Sequence, residues 1–430
     1  MRFASYDEPY PSKWEDGVDK AQIEAKATER LISGKAWDDF CDVLKAAGRL
    51  IDEFGSQPSD IDRAEYYRFL TRVARSSMER LIENAEPTRP RLRDMVWRQS
   101  INVQCPDHDH LMCQFDEARD YRIVGTRGTI PYFVMAVLTA PVPGDAAARD
   151  WAPEGVAGLK AFDPSNLKTT AFLGSQQLHV EDDGTFEVIL SQNDPGEGKN
   201  WLKLDADNNC ILIRLVWHER GKEIAPVMRI ERMDEAQPLP ITPALMANNL
   251  AWAAQGVLGY AELVRNWWQG GQGDFASKPN RLDYSRAQYL SNGGVPDRHF
   301  AFGSWQVDAD EALVLEFKPP ECEYWNFQLC NIWQENLDTF EDGGGYVTKF
   351  KRVQEADGSV RIVVAARDPG IGGNWVDTFG HDKGMWGLRL IRTEATAPVR
   401  LWRVPLTELE ARGNQALDPA MAVDTGQFVD

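Results

Sequence analysis

The chain has 430 residues, and its 47 Lys and Arg against 66 Asp and Glu give a formal net charge of −19. Such an acidic surface repels phosphates, which argues against nucleic acid and anionic membranes as partners. A hydrophobic content of 43% and a charged content of 26% are typical of a folded globular protein and exclude global disorder.

The sequence favours a cytoplasmic location. No apolar segment with a small-residue cleavage site is visible near the N-terminus, so we expect no signal peptide. Six cysteines without a Cys-x-x-Cys pair predict reduced thiols. The longest charge-free stretch, 236–261, contains three prolines together with Asn248, Asn249 and Gln255. We therefore expect a buried or half-buried helix there rather than a membrane span.

The N-terminal part is predicted to be helical after a short arm. Residues 1–19 are polar and contain prolines, which is typical of a loosely attached arm. Apolar residues then recur at spacings of three and four over 37–51 and again over 66–81, with a break at 55–60. This pattern predicts a helical hairpin or small bundle over residues 20–90.

Short β-type segments dominate the rest of the chain. Because β-branched and aromatic residues cluster between turn residues, strands are predicted at 121–125, 132–138, 186–190, 211–217 and 312–317. Residues 241–270 carry apolar side chains at alternating steps of four and three, which predicts a long connecting helix. The tail, residues 406–430, is expected at the surface.

An internal duplication organises the β-rich part. Residues 183–201 align without a gap on 357–375, and both segments contain Asp-Pro-Gly-x-Gly-x-Asn-Trp. Matching positions outside this segment include Arg214 with Arg389 and Tyr132 with Tyr324. We therefore predict two homologous β units, 95–233 and 296–405.

These patterns predict a mainly β protein of the α+β class. Each unit has several strands with alternating polarity and no βαβ rhythm, which is typical of antiparallel sheets. We expect two homologous antiparallel β-sandwich or jelly-roll-like units, an N-terminal helical region and a long connecting helix.

The repeated Asp-Pro-Gly-x-Gly-x-Asn-Trp segment is interpreted as a structural turn. Asp accepts backbone N–H bonds, Pro fixes φ and Gly adopts positive φ, so the composition suits a turn. A phosphate-binding loop would need a following helix, whereas strands flank both copies. The residues assigned to this turn are Asp194, Asn200, Trp201, Asp368 and Trp375.

The second unit is the better candidate for a ligand site because one of its strands has become polar. Val134 and Ala136 of the first unit correspond to Asn326 and Gln328 of the second. Buried amides need hydrogen-bond partners, which a ligand can supply. The alternative is that both amides face water or a neighbouring loop. The predicted substrate contacts are Asn326, Gln328, Trp325, Trp333 and Asn374.

His381, Asp377 and Glu335 form a candidate catalytic acid–base group. A histidine with a pKa near neutrality can transfer protons, and a carboxylate can orient it. The alternative interpretation of Asp377 and His381 is a Gly-containing turn with a histidine at the surface. The chain has no Gly-x-Ser-x-Gly motif and no Cys nucleophile signature, so acyl transfer has little support.

The segment from Cys105 to Cys113, Cys-Pro-Asp-His-Asp-His-Leu-Met-Cys, raises the question of zinc. His108 and His110 lie on one side of a predicted strand, and imidazole, carboxylate and thiolate groups all bind zinc. Their spacing matches no zinc signature, and a second cluster of ligands is missing. We therefore expect no metal or other cofactor and keep His108 and His110 as candidate zinc ligands.

Four segments carry a family resemblance: Ala64-Glu-Tyr-Tyr-Arg-Phe-Leu-Thr-Arg, Tyr121-Arg-Ile-Val-Gly-Thr-Arg-Gly-Thr, Tyr324-Trp-Asn-Phe-Gln-Leu-Cys-Asn-Ile-Trp and Arg367-Asp-Pro-Gly-Ile-Gly-Gly-Asn-Trp-Val-Asp-Thr-Phe-Gly-His. In these segments the chain resembles the bacterial proteins grouped as domain of unknown function (DUF) 1214, over most of residues 36–405. The resemblance implies β-sandwich units with helical decorations and no established activity, so no catalytic residue is carried over. His110 stands where family members tend to have the Tyr of a Pro-Asp-x-x-Tyr segment.

Three hypotheses for the function remain open. The first, which we favour, is an enzyme of hydrolase or lyase type that acts on a hydroxylated or carbohydrate-like small molecule in a Trp-lined cleft of the second β unit. The second is a non-catalytic protein that binds a small molecule or a lipophile. The third is a structural component of a homo-oligomer.

Overall fold

The structure is a computed structural model. It describes residues 20–55, 58–83, 88–94, 103–116, 118–140, 167–235, 237, 240–270, 273–337, 344–418 and 424–425. The polar arm predicted for residues 1–19 lies outside the described residues, as does most of the tail beyond residue 418.

Two β units and a group of helices make up the described chain. The helices are α1 (Lys20–Ile32), α2 (Lys35–Arg49), α3 (Asp60–Met78), α4 (Pro243–Gln269), α5 (Arg286–Ser291) and α6 (Leu406–Arg412). The strands of the first unit are β1 (Arg93–Asp94), β2 (His108–Gln114), β3 (Tyr121–Thr126), β4 (Tyr132–Thr139), β5 (Lys168–Gly174), β6 (Thr185–Ser191), β7 (Asn200–Lys203), β8 (Cys210–Val216) and β9 (Val227–Arg232). The strands of the second unit are β10 (Arg281–Tyr284), β11 (Arg298–Gln306), β12 (Glu311–Phe317), β13 (Tyr324–Cys330), β14 (Tyr346–Thr348), β15 (Val360–Ala365), β16 (Asn374–Asp377), β17 (Lys383–Ile391), β18 (Val399–Pro405) and β19 (Asp424–Thr425).

Each unit consists of two sheets. In the first unit, sheet I has the order β1-β2-β8-β4-β5 and sheet II has the order β7-β6-β3-β9. In the second unit, sheet III has the order β10-β11-β17-β13-β14 and sheet IV has the order β16-β15-β12-β18-β19. The inner strands correspond, because β8 lies between β2 and β4 as β17 lies between β11 and β13. The protein is therefore α+β and mainly β, with two repeated units.

One detail of the sheets differs from the antiparallel arrangement predicted. Sheets II and IV each contain one parallel pair, which places Asn200 beside Val188 and Asn374 beside Ile362. Parallel neighbours need a connection that returns along the strand, which a tight reverse turn cannot provide. The repeated Asp-Pro-Gly loop makes this return in both units.

Apolar side chains fill each sandwich and also the space between the two units. Phe133 and Ile213 lie between sheets I and II, and Trp325 and Leu388 lie between sheets III and IV. The outer faces of sheets I and III meet in a further apolar cluster, which includes Tyr132, Val216, Tyr324 and Ile391. Strand faces that point away from the sandwich cores are therefore also buried.

Helix α4 is the centre of the helical group rather than a simple connection. Thr242 caps its N-terminus by accepting a hydrogen bond from the Leu245 N–H at 3.1 Å, and Pro243 follows at the start of the helix. The helix packs against α1, α2 and α3 and against sheet III, so it is buried along most of its length. None of the helices in the described ranges is long and apolar enough to cross a membrane.

Candidate functional site

The asparagine of the repeated turn makes the same hydrogen bonds in both units. The Asn374 side chain donates to the carbonyls of Val353 and Arg361 at 2.7 and 2.8 Å and accepts from the Val353 N–H at 2.6 Å. Asn200 makes the three equivalent bonds in the first unit. Backbone groups occupy both the oxygen and the nitrogen of the Asn374 amide. Asn374 therefore holds the turn together in this structure, whereas the sequence predicted a substrate contact.

Aspartate, glycine and tryptophan complete this turn. Asp194 and Asp368 each accept a hydrogen bond at 2.8 Å from the N–H two residues later, and the motif glycines have positive φ. The indole N–H of Trp375 donates to the Ala365 carbonyl at 3.0 Å, and Trp201 makes the equivalent bond at 3.2 Å. All these contacts stay within the turn and the adjoining strands.

His381 lies in a contact between the second unit and helix α3. Its Nε2 is 2.9 Å from Glu65 Oε2, and its Nδ1 is 3.0 Å from the Thr378 carbonyl oxygen. Both ring nitrogens therefore face acceptors, which favours the imidazolium. Burial lowers the pKa of His381, but the hydrogen bond and charge of Glu65 outweigh burial and raise it above its ordinary value. Burial raises the pKa of Glu65, and the contact with His381 outweighs it and lowers the pKa below the usual range.

Glu335 belongs to the same network as His381, whereas Asp377 is engaged elsewhere. Asn331 donates to Glu65 at 2.8 Å and lies 3.5 Å from Glu335, which also pairs with an arginine of α3. Burial raises the pKa of Glu335 against the opposing effect of that arginine. Asp377 accepts the Phe379 N–H at 2.7 Å in a local turn. Two of the three catalytic candidates thus fasten α3 to the second unit.

Both tryptophans predicted to contact a ligand are core residues. Trp325 lies between sheets III and IV, with its ring edge-on to Phe317. Trp333 packs against Tyr66, and its indole N–H donates to the Asp62 carbonyl at 2.8 Å. Each tryptophan is at most 1% exposed, so neither ring is available to a ligand. Their placement corrects the prediction of a cleft lined by these two side chains.

Asn326 and Gln328 are buried in a hydrogen-bonded network of their own. Asn326 Nδ2 donates to Gln328 Oε1 at 2.8 Å, and Gln328 Nε2 donates to the Gln104 carbonyl at 2.6 Å. Arg389 also donates to Gln328 Oε1 at 2.6 Å. This is the alternative in which the amides face a neighbouring loop. They position Arg389 and the segment at Gln104 beside a cavity.

A cavity of about 140 Å³ lies where the two units and the helical group meet. Aromatic side chains form much of its wall, and its polar lining residues include three arginines and three histidines. The main lining residues are His108, His110 and Arg214 from sheet I, Arg298, Phe300, Phe302 and Arg389 from sheet III, and Tyr260, Trp267 and Tyr289 from α4 and α5.

Arg214 and Arg298 are each anchored by one nitrogen. Arg214 Nη2 donates to the Gly293 carbonyl at 2.6 Å, and Arg298 Nε donates to Asp297 Oδ1 at 2.9 Å. Burial lowers the pKa of Arg214 to about 10, so this side chain remains protonated at neutral pH. Both guanidinium groups are therefore buried cations in fixed positions.

Arg389 is held between an aromatic ring and the backbone. Its guanidinium carbon lies 3.8 Å from the ring centroid of Phe300, and it donates to the Val103 carbonyl. Gly387, two residues earlier on the same face of β17, leaves room for that ring. A Cβ at Gly387 would lie 2.4 Å from the Phe300 ring, so any larger residue would displace the support of Arg389.

Two residues beside the cavity have left-handed backbone conformations. Val103 has φ of 54° and Gln334 has φ of 65°, which side chains other than Gly rarely adopt, β-branched ones least of all. The Val103 N–H donates to the Gln334 carbonyl at 3.1 Å, so the two conformations support each other. Such strain persists where the surrounding structure fixes it, and it is concentrated at functional sites.

Several lining side chains have N–H groups that lack a hydrogen-bond partner among the described residues. Arg214 Nη1, Arg298 Nη2, Gln334 Nε2 and Trp267 Nε1 are all buried in this state. Each of these atoms can only donate. Three imidazole nitrogens of the lining lack a partner among the described residues as well, and they can donate or accept: His108 Nε2, His110 Nδ1 and His299 Nε2. The lining residues therefore hold buried donors that a group with acceptor oxygens could satisfy.

His108 and His110 are neutral in this environment. Burial lowers the pKa of both well below its ordinary value, and a nearby positive charge, that of Arg389 for His108 and that of Arg214 for His110, lowers it further. In the part of the chain that the structure describes, no group of three or more His, Cys, Asp or Glu side chains could hold a metal ion. Two histidines next to three guanidinium groups also form a surface that repels a cation such as zinc.

The joint between the units contains a reciprocal pair of hydrogen bonds. The Tyr132 hydroxyl donates to Asp297 at 2.6 Å, and the Tyr324 hydroxyl donates to Asp107 at 2.9 Å. The two tyrosines occupy matching positions, and so do the two aspartates, since each follows a proline and precedes the inner strand β2 or β11. The cavity therefore lies where equivalent faces of the two units meet.

Sequence reasoning did not identify the three arginines as site residues. Each lies in a mainly apolar strand, and its neighbours in the cavity come from distant parts of the chain. The available signals are the match of Arg214 with Arg389 and the second Pro-Asp pair, Pro296-Asp297, which repeats Pro106-Asp107.

Comparison with known proteins places the chain in a family. A family model described as a protein of unknown function, DUF1214, matches residues 159–219 and 304–395. The chain belongs to the DUF1214 family. The two matched segments fall in the first and second β units, so the DUF1214 pattern follows the duplication.

A solved structure shares the fold. The crystal structure of an uncharacterised protein from Burkholderia cenocepacia is 30% identical, with a TM-score of 0.78, and the match covers 89% of this chain and 100% of that chain. The VPA0106 protein from Vibrio parahaemolyticus is 12% identical over 76% of this chain and 94% of its own, with a TM-score of 0.41. No curated protein matches the chain.

Proposed function

We propose that the protein binds a small organic anion in the cavity between its two β units. One observation carries this proposal: two buried guanidinium nitrogens of the lining, Arg214 Nη1 and Arg298 Nη2, have no hydrogen-bond partner among the residues that the structure describes. A carboxylate accepts several such bonds at once, and bonds between charged groups are roughly twice as strong as neutral ones.

The energetics of burial support an acidic ligand. A buried charge without a compensating partner is unfavourable by several kcal/mol. Arg214 and Arg389 are at most 9% exposed and donate to carbonyl groups of the protein rather than to a carboxylate. An acid in the cavity would supply the negative charge that these side chains lack.

The size and walls of the cavity indicate a small, flat ligand. A cavity of roughly 150 Å³ inside a protein holds benzene, so about 140 Å³ suits a ligand close to benzene in size, and benzoate is a single ring with one small acid group. Phe300, Phe302 and Trp267 offer ring faces and edges to such a molecule.

This proposal belongs to the second of the three hypotheses drawn from the sequence, a non-catalytic small-molecule-binding β protein. The hypothesis of an enzyme that uses His381, Asp377 and Glu335 stays a prediction. Its test is the variant His381→Ala, which should then lose turnover of an identified substrate while remaining folded. The contact of His381 with Glu65 favours a role in stability instead.

We also propose a cytoplasmic location in a bacterium. All six cysteines are free thiols, and five of them are buried, as is common for proteins of a reducing compartment. Fractionation of the source cells with a compartment marker would test this location.

Calorimetric titration of the full chain with benzoate and benzamide at pH 7.5 tests the proposed function. The two ligands have nearly the same shape and differ in charge. We expect benzoate to bind at least about tenfold more tightly, since a hydrogen bond to a charged group contributes roughly 1.5–3 kcal/mol.

Matched arginine variants assign the binding to the cavity. Arg214→Gln and Arg298→Gln should each weaken benzoate binding by about tenfold or more. Arg229→Gln, at an exposed arginine of the first unit, should leave the affinity unchanged. Equal affinity for benzoate and benzamide, or full benzoate binding in both cavity variants, would contradict the proposal.

A further inference from the structure

We infer that the ligand is a small dicarboxylate whose two acid groups join Arg214 of the first β unit to Arg298 of the second. This inference rests on the proposed function and specifies the class of ligand. Its basis is the charge of the cavity, the origin of the free N–H groups and the shape of the walls.

The charge of the cavity matches two negative charges. Three arginines line it, and the described lining residues include no Asp or Glu. Directly behind the lining, Asp297 pairs with Arg298, whereas the hydrogen-bond partners of Arg214 and Arg389 are neutral. Three positive charges against one negative charge leave two positive charges. A dianion balances them.

The free guanidinium nitrogens come from facing sheets. Arg214 Nη1 belongs to β8 of sheet I, and Arg298 Nη2 belongs to β11 of sheet III. Those two sheets face each other across the joint between the units. A ligand with an acid group at each end can bond to both arginines while each keeps its anchor to Gly293 or Asp297.

The walls favour a short, planar spacer between the acid groups. Phe302 lies 3.8 Å from Phe300 and 5.6 Å from Trp267, measured between ring centroids, so an aromatic surface runs beside the arginines. Fumarate has eight non-hydrogen atoms in a plane, and the volume of about 140 Å³ accommodates it.

A charge series on the wild-type protein tests this inference without any substitution. Fumarate, its monoamide and its diamide have almost the same shape and carry two, one and no negative charges at pH 7.5. In calorimetric titrations we expect fumarate to bind at least about tenfold more tightly than the monoamide, and the monoamide more tightly than the diamide. Inorganic phosphate carries its charge on one centre and should bind no more tightly than the monoamide.

Variants on the two sides show whether both ends are used. In Arg214→Gln, and separately in Arg298→Gln, the advantage of fumarate over the monoamide should fall from about tenfold to below about threefold. Arg229→Gln should keep the full advantage, and the melting temperature of each variant checks that it is folded. If a cavity variant does not fold, the titrations of the wild-type protein with fumarate, its monoamide and its diamide still test the inference.

The outcomes separate this inference from the proposed function. If the monoamide or phosphate binds as tightly as fumarate while benzoate binds at the cavity, the two-ended ligand is wrong and the anion site stands. If neither fumarate nor benzoate binds, the proposed function itself fails. Loss of the fumarate advantage in both arginine variants supports the inference.

Discussion

The two β units share a tyrosine–aspartate contact but surround it with different charges. Asp297 is followed by Arg298, whereas Asp107 is followed by His108. Burial raises the pKa of both carboxyls. At Asp297 the charge and hydrogen bond of Arg298 outweigh burial and hold the pKa below its usual range, while that of Asp107 stays above it. Both units thus keep the hydrogen bond from tyrosine to aspartate. The environment favours the ionised carboxylate at Asp297, whereas at Asp107 it favours protonation more than usual.

The two units also differ in the polarity of their inner strands. The first unit has Val134 and Ala136 where the second has Asn326 and Gln328, and those amides hold Arg389. The duplication therefore preserves the contacts that fold each unit, namely the Asn-Trp turn and the tyrosine–aspartate bond. The polar side chains that line the cavity come from both units, whereas the buried amides that hold Arg389 belong to the second unit alone.

The largest expected effect contrasts the two aspartates. Asp297→Asn removes the carboxylate that pairs with the buried Arg298, and we expect a loss of about 3 kcal/mol or more in the free energy of unfolding. Asp107→Asn should cost about 1 kcal/mol, because the amide oxygen can still accept the Tyr324 hydroxyl. Urea denaturation of both variants measures the difference, and equal losses would show that the charges at the joint do not differ as described.

A smaller effect is expected at His381, through which the second unit holds helix α3. His381→Ala should lower the free energy of unfolding by about 1–3 kcal/mol near pH 6. The raised pKa of His381, to which Glu65 and Asp62 contribute, stabilises the fold fully below its ordinary value of 6.5. That contribution disappears as the pH rises through the raised pKa. The lowered pKa of Glu65 gives a contribution that is present above 4.5 and is lost as the pH falls through the lowered value.

Unfolding in urea at pH 6 and at pH 9 tests whether the stabilisation by His381 decreases as the pH rises. The gap in stability between wild type and His381→Ala should be wider at pH 6 than at pH 9. Taking the difference between the two proteins removes the contribution of other titrating groups such as Glu335. A gap that does not change with pH would exclude a charged contact between His381 and Glu65. Benzoate binding should be unaffected by the substitution, since His381 does not line the cavity.

The smallest expected effect is shared by the two units. Trp201→Phe and Trp375→Phe each remove one indole hydrogen bond to the backbone of the preceding strand. We expect each to cost about 0.5–1.5 kcal/mol in the free energy of unfolding, by similar amounts. A large loss at one position alone would mean that the two turns are not equivalent. Thermal unfolding of the two single variants is sufficient to compare them.

The duplication made much of the fold predictable. A gapless match over 183–201 and 357–375 points to two like units, and alternating polarity indicates their strands. The parallel pairs escaped prediction because the sequence of a loop does not say on which side its next strand will pair. The central place of α4 escaped for a similar reason. Its apolar seam predicts a helix but not the three helices packed around it.

The candidate site was less predictable than the fold. Polar residues of the second unit drew attention to Asn326, Gln328, Glu335 and His381, all of which the protein uses to hold its own parts together. The cavity arises only when strands far apart in sequence bring Arg214 and Arg298 together. No local pattern encodes that meeting. The match of Arg214 with Arg389 and the repeated Pro-Asp pair indicate only indirectly that these side chains meet.

A crystal structure of the protein grown with benzoate, at a concentration well above the dissociation constant measured in solution, tests the anion site most directly. We predict benzoate in the cavity between the two units, with carboxylate oxygens at hydrogen-bond distance, roughly 2.7–2.9 Å, from Arg214 Nη1 or Arg298 Nη2. Benzoate bound elsewhere, with those two nitrogens bonded to other groups of the protein, would contradict the anion site.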